Sequence, residues 1–321
     1  MKQVFCVQSD EDASRAVRVV DDVADPVCPD DGVVVAVKAR PINPADLLLL
    51  NGRHVFSPPL PAPVGIEGAG VVIAAGRASR LTPGTKVAIP QGGTWREQMA
   101  VRDDGVLPLP ADVDLEQASM LCVNPFTVMG MLEGVSSGAT IVINAGTSAV
   151  SKQVLAVARR RGIAVLTVVR DERAADELTA LGAAGVLVDG DDLAARVARA
   201  APSPVVRALD AVAGSASGRL YDCVADGGEL VVYGLLASDH VQLPAARLVF
   251  RDVTVRGFSR LRIFAKMTPE RRAAITEELV ALLADKTLHA DVEARYPLDD
   301  APAALAHHSR PGRRGKILLV S

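Results

Sequence analysis

A short loop of small residues follows an apolar run near the middle of the chain. Its residues are Ala145, Gly146, Thr147, Ser148, Ala149, Val150 and Ser151. A strand that leads through such a loop into a helix is a common phosphate site, because N–H groups at the helix N-terminus point at the anion. We predict that this loop binds a cofactor phosphate and that its hydroxyls, including that of Ser151, donate to the phosphate oxygens. The single glycine departs from the pattern Gly-x-Gly-x-x-Gly, so a strand–turn–helix without a ligand remains the alternative.

The next apolar run ends in a charged segment, Val168-Val-Arg-Asp-Glu-Arg173. In a dinucleotide fold an acid at this point holds the ribose 2′-OH of NAD, whereas an arginine suits the 2′-phosphate of NADP. Arg170, with Arg173 close behind it, therefore predicts NADPH as the cofactor. Asp171 and Glu172 leave NADH open as the alternative.

Composition restricts the class of protein that these motifs serve. The chain has 321 residues, of which 49% are hydrophobic, and a formal net charge of −3, which is typical of a globular protein with a sizeable core. The balance of charge argues against nucleic acid as a main partner. No apolar run reaches the length of a membrane span, and acidic residues follow the N-terminus where a secretory signal would continue. We expect a cytoplasmic protein without a membrane partner.

The four cysteines give no sign of a disulfide framework or a zinc site. Cys6, Cys28, Cys122 and Cys223 lie far apart, and no Cys-x-x-Cys pair occurs. This spacing predicts reduced, mostly buried thiols and no structural metal.

The elements that must position the loop fall into two kinds along the chain. The first third contains short β-like runs between turn residues, at Val33–Lys38, Gly70–Gly76 and Thr85–Pro90, which predicts a compact β unit. Apolar strands then alternate with helical segments. These strands are Thr140–Asn144, Ala164–Val169, Gly185–Val188, Arg207–Ala211, Glu229–Tyr233 and Asp252–Gly257. Six such strands predict a doubly wound parallel α/β sheet of the Rossmann type.

The C-terminal part of the chain returns to β structure. Val292–Pro297 and Gly315–Val320 are predicted strands that complete the first unit, which makes the α/β unit an insertion. We predict a β-rich catalytic domain over residues 1–117 and 262–321 and a Rossmann domain over residues 118–261. The last strand of the sheet, Asp252–Gly257, has an open edge, so we expect a homodimer that pairs this edge across a two-fold axis.

With this organisation, the sequence resembles the zinc-independent branch of the medium-chain dehydrogenase/reductase superfamily, and most of all the mitochondrial-type trans-2-enoyl thioester reductases and quinone oxidoreductases. The resemblance covers nearly the whole chain. The motifs on which it rests include Ile42-Asn-Pro-Ala-Asp46, Leu60 to Gly70, Gly93-Thr-Trp-Arg96, Val123-Asn-Pro-Phe-Thr127, Tyr233-Gly234, Arg256-Gly-Phe258 and Gly315-Lys316. It implies a GroES-like catalytic domain around the Rossmann insertion.

The resemblance implies a reaction and the residues that serve it. NADPH would deliver a hydride to the β-carbon of an activated C=C bond, most simply in an enoyl thioester, and an acid would protonate the α-carbon. The residues that it places near the cofactor are Asn43, Asn124, Thr127, Tyr233, Gly234, Phe258 and Lys316. The alternatives are an NADPH-dependent quinone or enone reductase, or a nucleotide-binding protein that has lost catalysis.

Two departures from the family pattern concern the chemistry. Ile66 stands where zinc-dependent relatives carry a histidine, and the Ile42–Asp46 region has no cysteine, so zinc chemistry is not expected. The family tyrosine that serves as proton donor or as substrate-orienting hydroxyl falls on His54, which can also donate a proton near neutral pH. The alternative is that His54 is only a surface residue in a loop. We predict His54 as a catalytic residue, and the resemblance adds Trp95.

Two further groups of side chains were assigned from their context. The adjacent pair His307 and His308 is expected to be solvated. A basic cluster after the Rossmann segment would favour a substrate carried on pantetheine, although such charges also occur on solvated helices. Its members are Arg260, Arg262, Lys266, Arg271 and Arg272.

Overall fold

The computed structural model describes residues 1–54, 58–310 and 312–321 of the chain. Contacts divide it into two compact units, which we call unit 1 (Met1–Asn124 and Thr276–Ser321) and unit 2 (Pro125–Ile275). Both boundaries lie later in the chain than the predicted positions after residues 117 and 261.

The boundaries shift because of contacts on either side of them. The N–H groups of Cys122 and Val123 donate to Glu67, which ties this segment to unit 1. The ring of Phe264 packs edge-on against Phe126 with a centroid distance of 5.2 Å, which keeps the residues after 261 with unit 2. These are long-range contacts, which the local sequence pattern does not contain.

The N-terminal segment of unit 1 is mostly β structure. Its strands are β1 (Gln3–Cys6), β2 (Val17–Val20), β3 (Gly32–Pro41), β4 (Ala62–Pro63), β5 (Gly68–Ala75), β6 (Lys86–Ile89), β7 (Gln98–Arg102) and β8 (Leu107–Pro108). Its helices are α1 (Pro44–Leu50) and α2 (Leu115–Ser119). Helix α3 (Asn124–Met131) starts at Asn124, the last residue of this N-terminal segment, and continues into unit 2. The β-branched run of β3 explains why this long strand is the centre of the sheet, pairing with both β5 and β7.

Unit 2 alternates strands and helices. Its strands are β9 (Thr140–Ile143), β10 (Ala164–Val169), β11 (Gly185–Val188), β12 (Val205–Asp210), β13 (Glu229–Val232) and β14 (Thr254–Gly257). Its helices are α4 (Ala149–Arg160), α5 (Ala175–Ala180), α6 (Leu193–Ala200), α7 (Ser215–Cys223), α8 (Ala245–Phe250) and α9 (Arg260–Lys266). The strands form one parallel sheet in the order β11-β10-β9-β12-β13-β14. The predicted doubly wound sheet is confirmed.

The parallel sheet buries its central strands on both faces. All four residues of β9 are buried, and Val142 and Leu166 share one apolar cluster with Leu220 of α7. Helices cover both faces of a parallel sheet, so its strands are continuous apolar runs rather than alternating patterns. The strand order reverses between β9 and β12, and the ends of these two strands are where such folds bind ligands.

The C-terminal segment completes unit 1. Helix α10 (Pro269–Ala284) crosses the boundary, and β15 (Val292–Pro297), α11 (Ala301–His308) and β16 (Lys316–Val320) follow. The larger sheet of unit 1 has the order β15-β16-β3-β5-β6-β8, with β7 on β3, and a smaller sheet has the order β2-β1-β4. Strand β16 therefore lies between β15 and β3, inside the sheet, and joins the two segments of the unit.

The histidine pair of α11 is not solvated, which corrects the expectation from sequence. His308 is buried, and burial lowers its pKa to about 3. The ring of His307 bridges the Tyr296 hydroxyl, at 2.9 Å, and the Glu293 carboxylate, at 3.0 Å. Both histidines are therefore part of the packing of unit 1. In the part of the chain that is described, no helix is long and apolar enough to cross a membrane.

Candidate functional site

The loop between β9 and α4 has the backbone geometry of a close helix–strand turn. Ala145 has a φ of 50°, in the left-handed region that favours glycine. The N–H of Gly146 donates to the Val168 carbonyl, and a Cβ at Gly146 would lie 3.0 Å from a methyl of Val169. The single glycine of the loop is therefore at the position where the loop packs against β10.

The N-terminus of α4 carries N–H groups that can bind an anion. Helix α4 begins at Ala149, with Ser148 as its N-cap. In the described ranges, the N–H groups of Thr147, Ala149 and Val150 have no acceptor. These groups lie at the positive end of a helix of 12 residues. The loop therefore fits a phosphate without further glycines.

Two of the three loop hydroxyls already have partners in the protein. Ser151 is fully buried, and its hydroxyl donates to the Ala145 carbonyl at 3.0 Å, so the prediction that it donates to a phosphate is wrong. The Ser148 hydroxyl accepts from the Ser151 N–H at 3.2 Å, as an N-cap does. Thr147 is exposed and stays available for a ligand.

The predicted 2′-phosphate residues follow β10. Arg170 is exposed, and within the described residues no ion pair or hydrogen bond of its side chain is formed. Arg173 is engaged by Asp171, with a distance of 2.8 Å between Nε and Oδ1, and this hydrogen bond lowers the pKa of Asp171 to about 2. Asp171 is thus paired with Arg173, and Arg170 is the cation that remains for a phosphate.

A buried polar cluster joins the ends of β9 and β12 at the point where the strand order reverses. Asn144 Nδ2 donates to Asp210 Oδ1 at 2.6 Å, and the N–H groups of Val212 and Ala213 donate to the same oxygen at 2.9 and 3.0 Å. The Ser217 hydroxyl donates to Asp210 Oδ2 at 2.5 Å. Sequence reasoning missed this cluster, although an Asn and an Asp directly after buried strands are a readable signal.

The predicted residues after β13 and β14 lie near the same end of the sheet. The N–H groups of Tyr233 and Gly234 donate to the Asp210 carbonyl, and a Cβ at Gly234 would lie 2.7 Å from the Ala211 carbonyl oxygen. The N–H of Phe258 donates to Val232, and the Phe258 ring packs against Gly130, where a Cβ would lie 2.8 Å from it. Gly234 is therefore required for close backbone approach.

The Tyr233 hydroxyl lies next to the loop between β9 and α4. It is buried beside the hydroxyls of Ser148 and Ser151, yet no described group forms a well-aligned hydrogen bond with it. Burial raises its pKa, and the two serines oppose the rise. The Tyr233 hydroxyl therefore faces the side chains of the loop, a placement that its sequence position does not reveal.

Unit 1 contains a second buried polar cluster, around the N-terminus of α1. Lys316 Nζ donates to Asn43 Oδ1 at 2.5 Å, and Asn43 Nδ2 donates to Glu67 Oε1 at 2.9 Å. Glu67 Oε2 accepts the N–H groups of Cys122 and Val123, at 3.0 and 2.9 Å. Asn43 and Lys316 were predicted to contact the cofactor, and the structure engages the amide of Asn43 and the ammonium of Lys316 inside the protein.

Asp46 lies in the same cluster with an unusual protonation equilibrium. Its Oδ2 accepts the Asn43 N–H at 2.8 Å, while Oδ1 has no hydrogen-bond donor among the described residues. Burial raises the pKa of Asp46 to about 7, and the Glu67 charge adds to the rise, while the Asn43 N–H and the Lys316 charge oppose it. Burial also lowers the pKa of Lys316. Neither Asp46 nor Glu67 was assigned a role from sequence, although both are in motifs that carry the resemblance.

The predicted catalytic residues of unit 1 lie in different surroundings. Trp95 is fully buried in the apolar cluster of this unit, beside Gly65, where a Cβ would be 2.3 Å from the indole ring. This placement gives Trp95 a packing role. His54 is half-buried at the end of the turn after α1, and its N–H donates to the Leu48 carbonyl at 3.0 Å. It directly precedes residues 55–57, which lie outside the described ranges.

The last two predicted cofactor residues are in the first turn of α3. Asn124 is its first residue and Thr127 its fourth; both are half-buried. Asn124 comes directly after Val123, whose N–H donates to Glu67. The buried cluster of unit 1 therefore ends one residue before a predicted cofactor contact.

Comparison with known proteins places this geometry in a family. A family model described as "Alcohol dehydrogenase GroES-like domain" matches residues 29–111, and one described as "Zinc-binding dehydrogenase" matches residues 149–277. The mitochondrial enoyl-[acyl-carrier-protein] reductase of Homo sapiens is 32% identical over 302 residues, which are 90% of this chain and 80% of that protein. The chain belongs to the medium-chain dehydrogenase/reductase superfamily. It is thus an oxidoreductase, and the predicted resemblance is confirmed.

Solved structures of this superfamily share the fold. The quinone oxidoreductase of Escherichia coli, determined in complex with NADPH, is similar with a TM-score of 0.88 and 22% identity, and each chain is covered fully. The quinone oxidoreductase of Pseudomonas syringae is similar with a TM-score of 0.87 and 25% identity, covering 100% of this chain and 99% of that one.

The residues of the superfamily's zinc position do not fit a metal here. In the ranges that the structure describes, no group of three or more His, Cys, Asp or Glu side chains could hold a metal ion. Ile66 offers no ligand atom next to Glu67, and the three N–H donors on Glu67 occupy both of its oxygens. The zinc-independent interpretation stays a prediction.

Proposed function

We propose that this oxidoreductase uses NADPH to reduce the C=C bond of a 2-enoyl thioester. The observation that carries the proposal is the identity of 32%, over 90% of the chain, to a mitochondrial enoyl-[acyl-carrier-protein] reductase. NADPH supplies a hydride to the β-carbon, a proton adds to the α-carbon, and the products are the saturated thioester and NADP⁺.

The test of the reaction is direct. NADPH fluorescence titration should show binding, and loss of NADPH absorbance should follow addition of crotonyl thioester. Turnover with a quinone but not with the thioester would favour quinone reduction, the alternative enzymatic reaction. Binding without turnover on either acceptor would favour a nucleotide-binding protein without catalysis.

The phosphate-binding elements of unit 2 support NADPH as the cofactor. The N–H groups of Thr147, Ala149 and Val150 would hold the diphosphate, and Arg170 would hold the 2′-phosphate. Asp171 competes little for the ribose, because Arg173 already pairs with it.

Replacement of Arg170 by alanine tests this choice of cofactor. Arg170→Ala should weaken NADPH binding by about tenfold or more and leave NADH binding nearly unchanged, because only NADPH carries the 2′-phosphate. Arg199→Ala, an exposed arginine on α6, is the matched control and should change neither dissociation constant. Equal loss for both cofactors in Arg170→Ala would contradict the assignment.

We assign the proton donor to His54. It falls on the position of the family tyrosine, and an imidazolium can donate a proton near neutral pH. His54→Ala should lower turnover by about a hundredfold while NADPH affinity stays within about twofold. His54→Tyr should preserve thioester reduction. Unchanged turnover in His54→Ala, with a rate independent of pH, would remove His54 from the reaction.

We propose that the substrate is attached to a negatively charged carrier. Of the predicted basic cluster, Arg271 pairs with Glu133 at 3.0 Å and Arg272 lies over the Phe264 ring at 4.2 Å, so these two are engaged within unit 2. The remaining basic residues, all in α9, are Arg260, Arg262 and Lys266. They would attract the phosphate of a pantetheine arm, and their reversal to glutamate should raise KM for a coenzyme A thioester without changing NADPH affinity.

We propose a homodimer and a cytoplasmic location. Strand β14 is at the edge of its sheet with Val255 36% exposed, and Val249 and Phe250 before it are 71% and 84% exposed. Pairing of two β14 edges would cover this surface. Light scattering should report a dimer that Val255→Lys dissociates, and a monomeric wild type would contradict it.

The cysteines are all free thiols, which supports the proposed location in a reducing compartment.

A further inference from the structure

A continuous chain of buried hydrogen bonds leads from β16 to the start of α3. It runs from the Lys316 ammonium through the Asn43 amide to the Glu67 carboxylate, and it ends on the N–H groups of Cys122 and Val123. The side chains of Asn43 and Glu67 are at most 1% exposed, and Lys316 is 5% exposed. Water therefore has little access to these three side chains when one of the bonds between them is lost.

We propose that Glu67 is a positioning residue for the reduction, and that it fixes the backbone from which Asn124 projects while Lys316 supplies the opposite charge through Asn43. This inference rests on the proposed function and on the resemblance, which places Asn124 near the cofactor. It concerns how that residue is held and not the chemistry itself.

The Glu67 carboxylate is suited to holding two adjacent peptide groups. One oxygen accepts consecutive N–H groups, from Cys122 and Val123, and the other accepts the Asn43 amide. Three N–H donors favour the ionised carboxylate, and hydrogen bonds to an ionised acceptor are about twice as strong as neutral ones. The orientation of the backbone just before Asn124 is therefore set by a charged group.

The Asn43 amide bridges Lys316 and Glu67 by hydrogen bonds. Its carbonyl oxygen accepts from the ammonium and its amide nitrogen donates to the carboxylate, so both ends of the amide have fixed partners. The amide cannot rotate without losing both bonds. A buried carboxylate without a cation nearby would be costly, and Lys316 offsets part of that cost.

Charge-neutral substitutions distinguish positioning from packing. Glu67→Gln keeps the shape but offers one acceptor oxygen instead of two, so either Asn43 or the backbone N–H pair loses its partner. We expect kcat with crotonyl thioester to fall by about tenfold to a hundredfold, because a misplaced contact slows the chemical step. NADPH affinity should stay within about threefold, because the phosphates are held by unit 2.

The double variant Glu67→Gln, Lys316→Met tests the charge partner. Glu67→Gln alone removes one of the two carboxyl groups, Glu67 and Asp46, whose charge favours the buried Lys316 ammonium, so its midpoint of unfolding should fall. The double variant also removes the cation and should recover much of the midpoint, while kcat should stay low. Recovery of kcat together with the midpoint would show that Glu67 acts only on stability and would overturn the inference.

A matched control is available in the same unit. The Glu97 carboxylate accepts the Lys2 N–H at 2.7 Å and makes no described contact with residues 122–124. Glu97→Gln should leave kcat and NADPH affinity unchanged. Wild-type kcat in Glu67→Gln would also overturn the inference. If the wild-type protein itself binds NADPH but reduces no thioester, the proposed function fails instead, and the two failures are distinguishable.

Discussion

Two fully buried aspartates, one in each unit, have opposite surroundings. Asp210 in unit 2 accepts three N–H groups and one hydroxyl. Asp46 in unit 1 accepts one N–H, and its second oxygen has no donor in the described part of the chain. Both side chains are at most 1% exposed. Burial is therefore the same, and the number of donors is what differs.

The difference shows what each cluster contributes. The donors on Asp210 replace the water that a carboxylate loses on burial, so this residue can hold the ends of β9 and β12 together. Asp46 lacks that replacement, and its pKa is raised to about 7, mainly by burial. Unit 2 thus contains a satisfied structural carboxylate, and unit 1 contains one whose charge depends on pH near neutrality.

The largest expected effect comes from removing the satisfied carboxylate. Asp210→Ala should lower the free energy of unfolding by on the order of 5 kcal/mol, because it leaves several buried donors without an acceptor at about 1–3 kcal/mol each. Urea denaturation followed by circular dichroism measures this change. Asp226→Ala, whose carboxylate is 68% exposed in its pair with Arg251, should cost less than about 1 kcal/mol. Similar losses of unfolding free energy in Asp210→Ala and Asp226→Ala would contradict the structural role of the buried Asp210 carboxylate.

An intermediate effect with a distinct pH dependence is expected from Asp46. Its folded-state pKa, about 7, is above the ordinary value of 3.8, so the folded state binds a proton that the unfolded state releases. The stability that this proton contributes is therefore fully present below about pH 4 and is lost as pH rises through 7, by on the order of 4 kcal/mol. Asp46→Asn should flatten this slope.

The measurement is the free energy of unfolding at pH 4.5 and pH 8 for both proteins. The wild type should lose stability between these values, and Asp46→Asn should lose less. A slope that is unchanged by the substitution would show that Asp46 is ionised in the folded protein and would contradict its raised pKa.

The smallest effect tests a single donor. Ser217→Ala removes the hydroxyl on Asp210 Oδ2 and leaves the three N–H donors on Oδ1, so the cost should be about 1–2 kcal/mol. Ser215→Ala, two residues earlier in α7 and exposed, is the control and should change stability by less than about 0.5 kcal/mol. A Ser217→Ala loss equal to that of Asp210→Ala would mean that this one donor carries the cluster.

Local patterns predicted the elements of this fold well. Ala164–Val169, Gly185–Val188 and Val292–Pro297 have their predicted bounds, because an apolar run between turn residues records a strand in the sequence itself. The strand–loop–helix turn after β9 was also readable, since the N-terminus of α4 follows directly from the small residues.

The buried charges could not be predicted in the same way. Asn43 and Lys316 are separated by 273 residues along the chain, so their hydrogen bond has no local signature. The solvated surroundings expected for His308 were wrong for a related reason, because α11 packs against elements far away in sequence. Partners of polar groups are set by tertiary contacts, whereas strands are set by local patterns.

The position of β16 has a consequence for how the protein is made. This strand lies between β3 and β15 and supplies Lys316, yet the ribosome synthesises it after every other strand. Unit 2 is one continuous segment and can fold while synthesis continues. In the larger sheet of unit 1, residues 39–41 of β3 must wait for β16 as their partner, although β5 and β7 already pair with the rest of that strand. We therefore expect nascent chains to depend on chaperones for the β-rich unit, and the buried ammonium to be the last charge brought into the core.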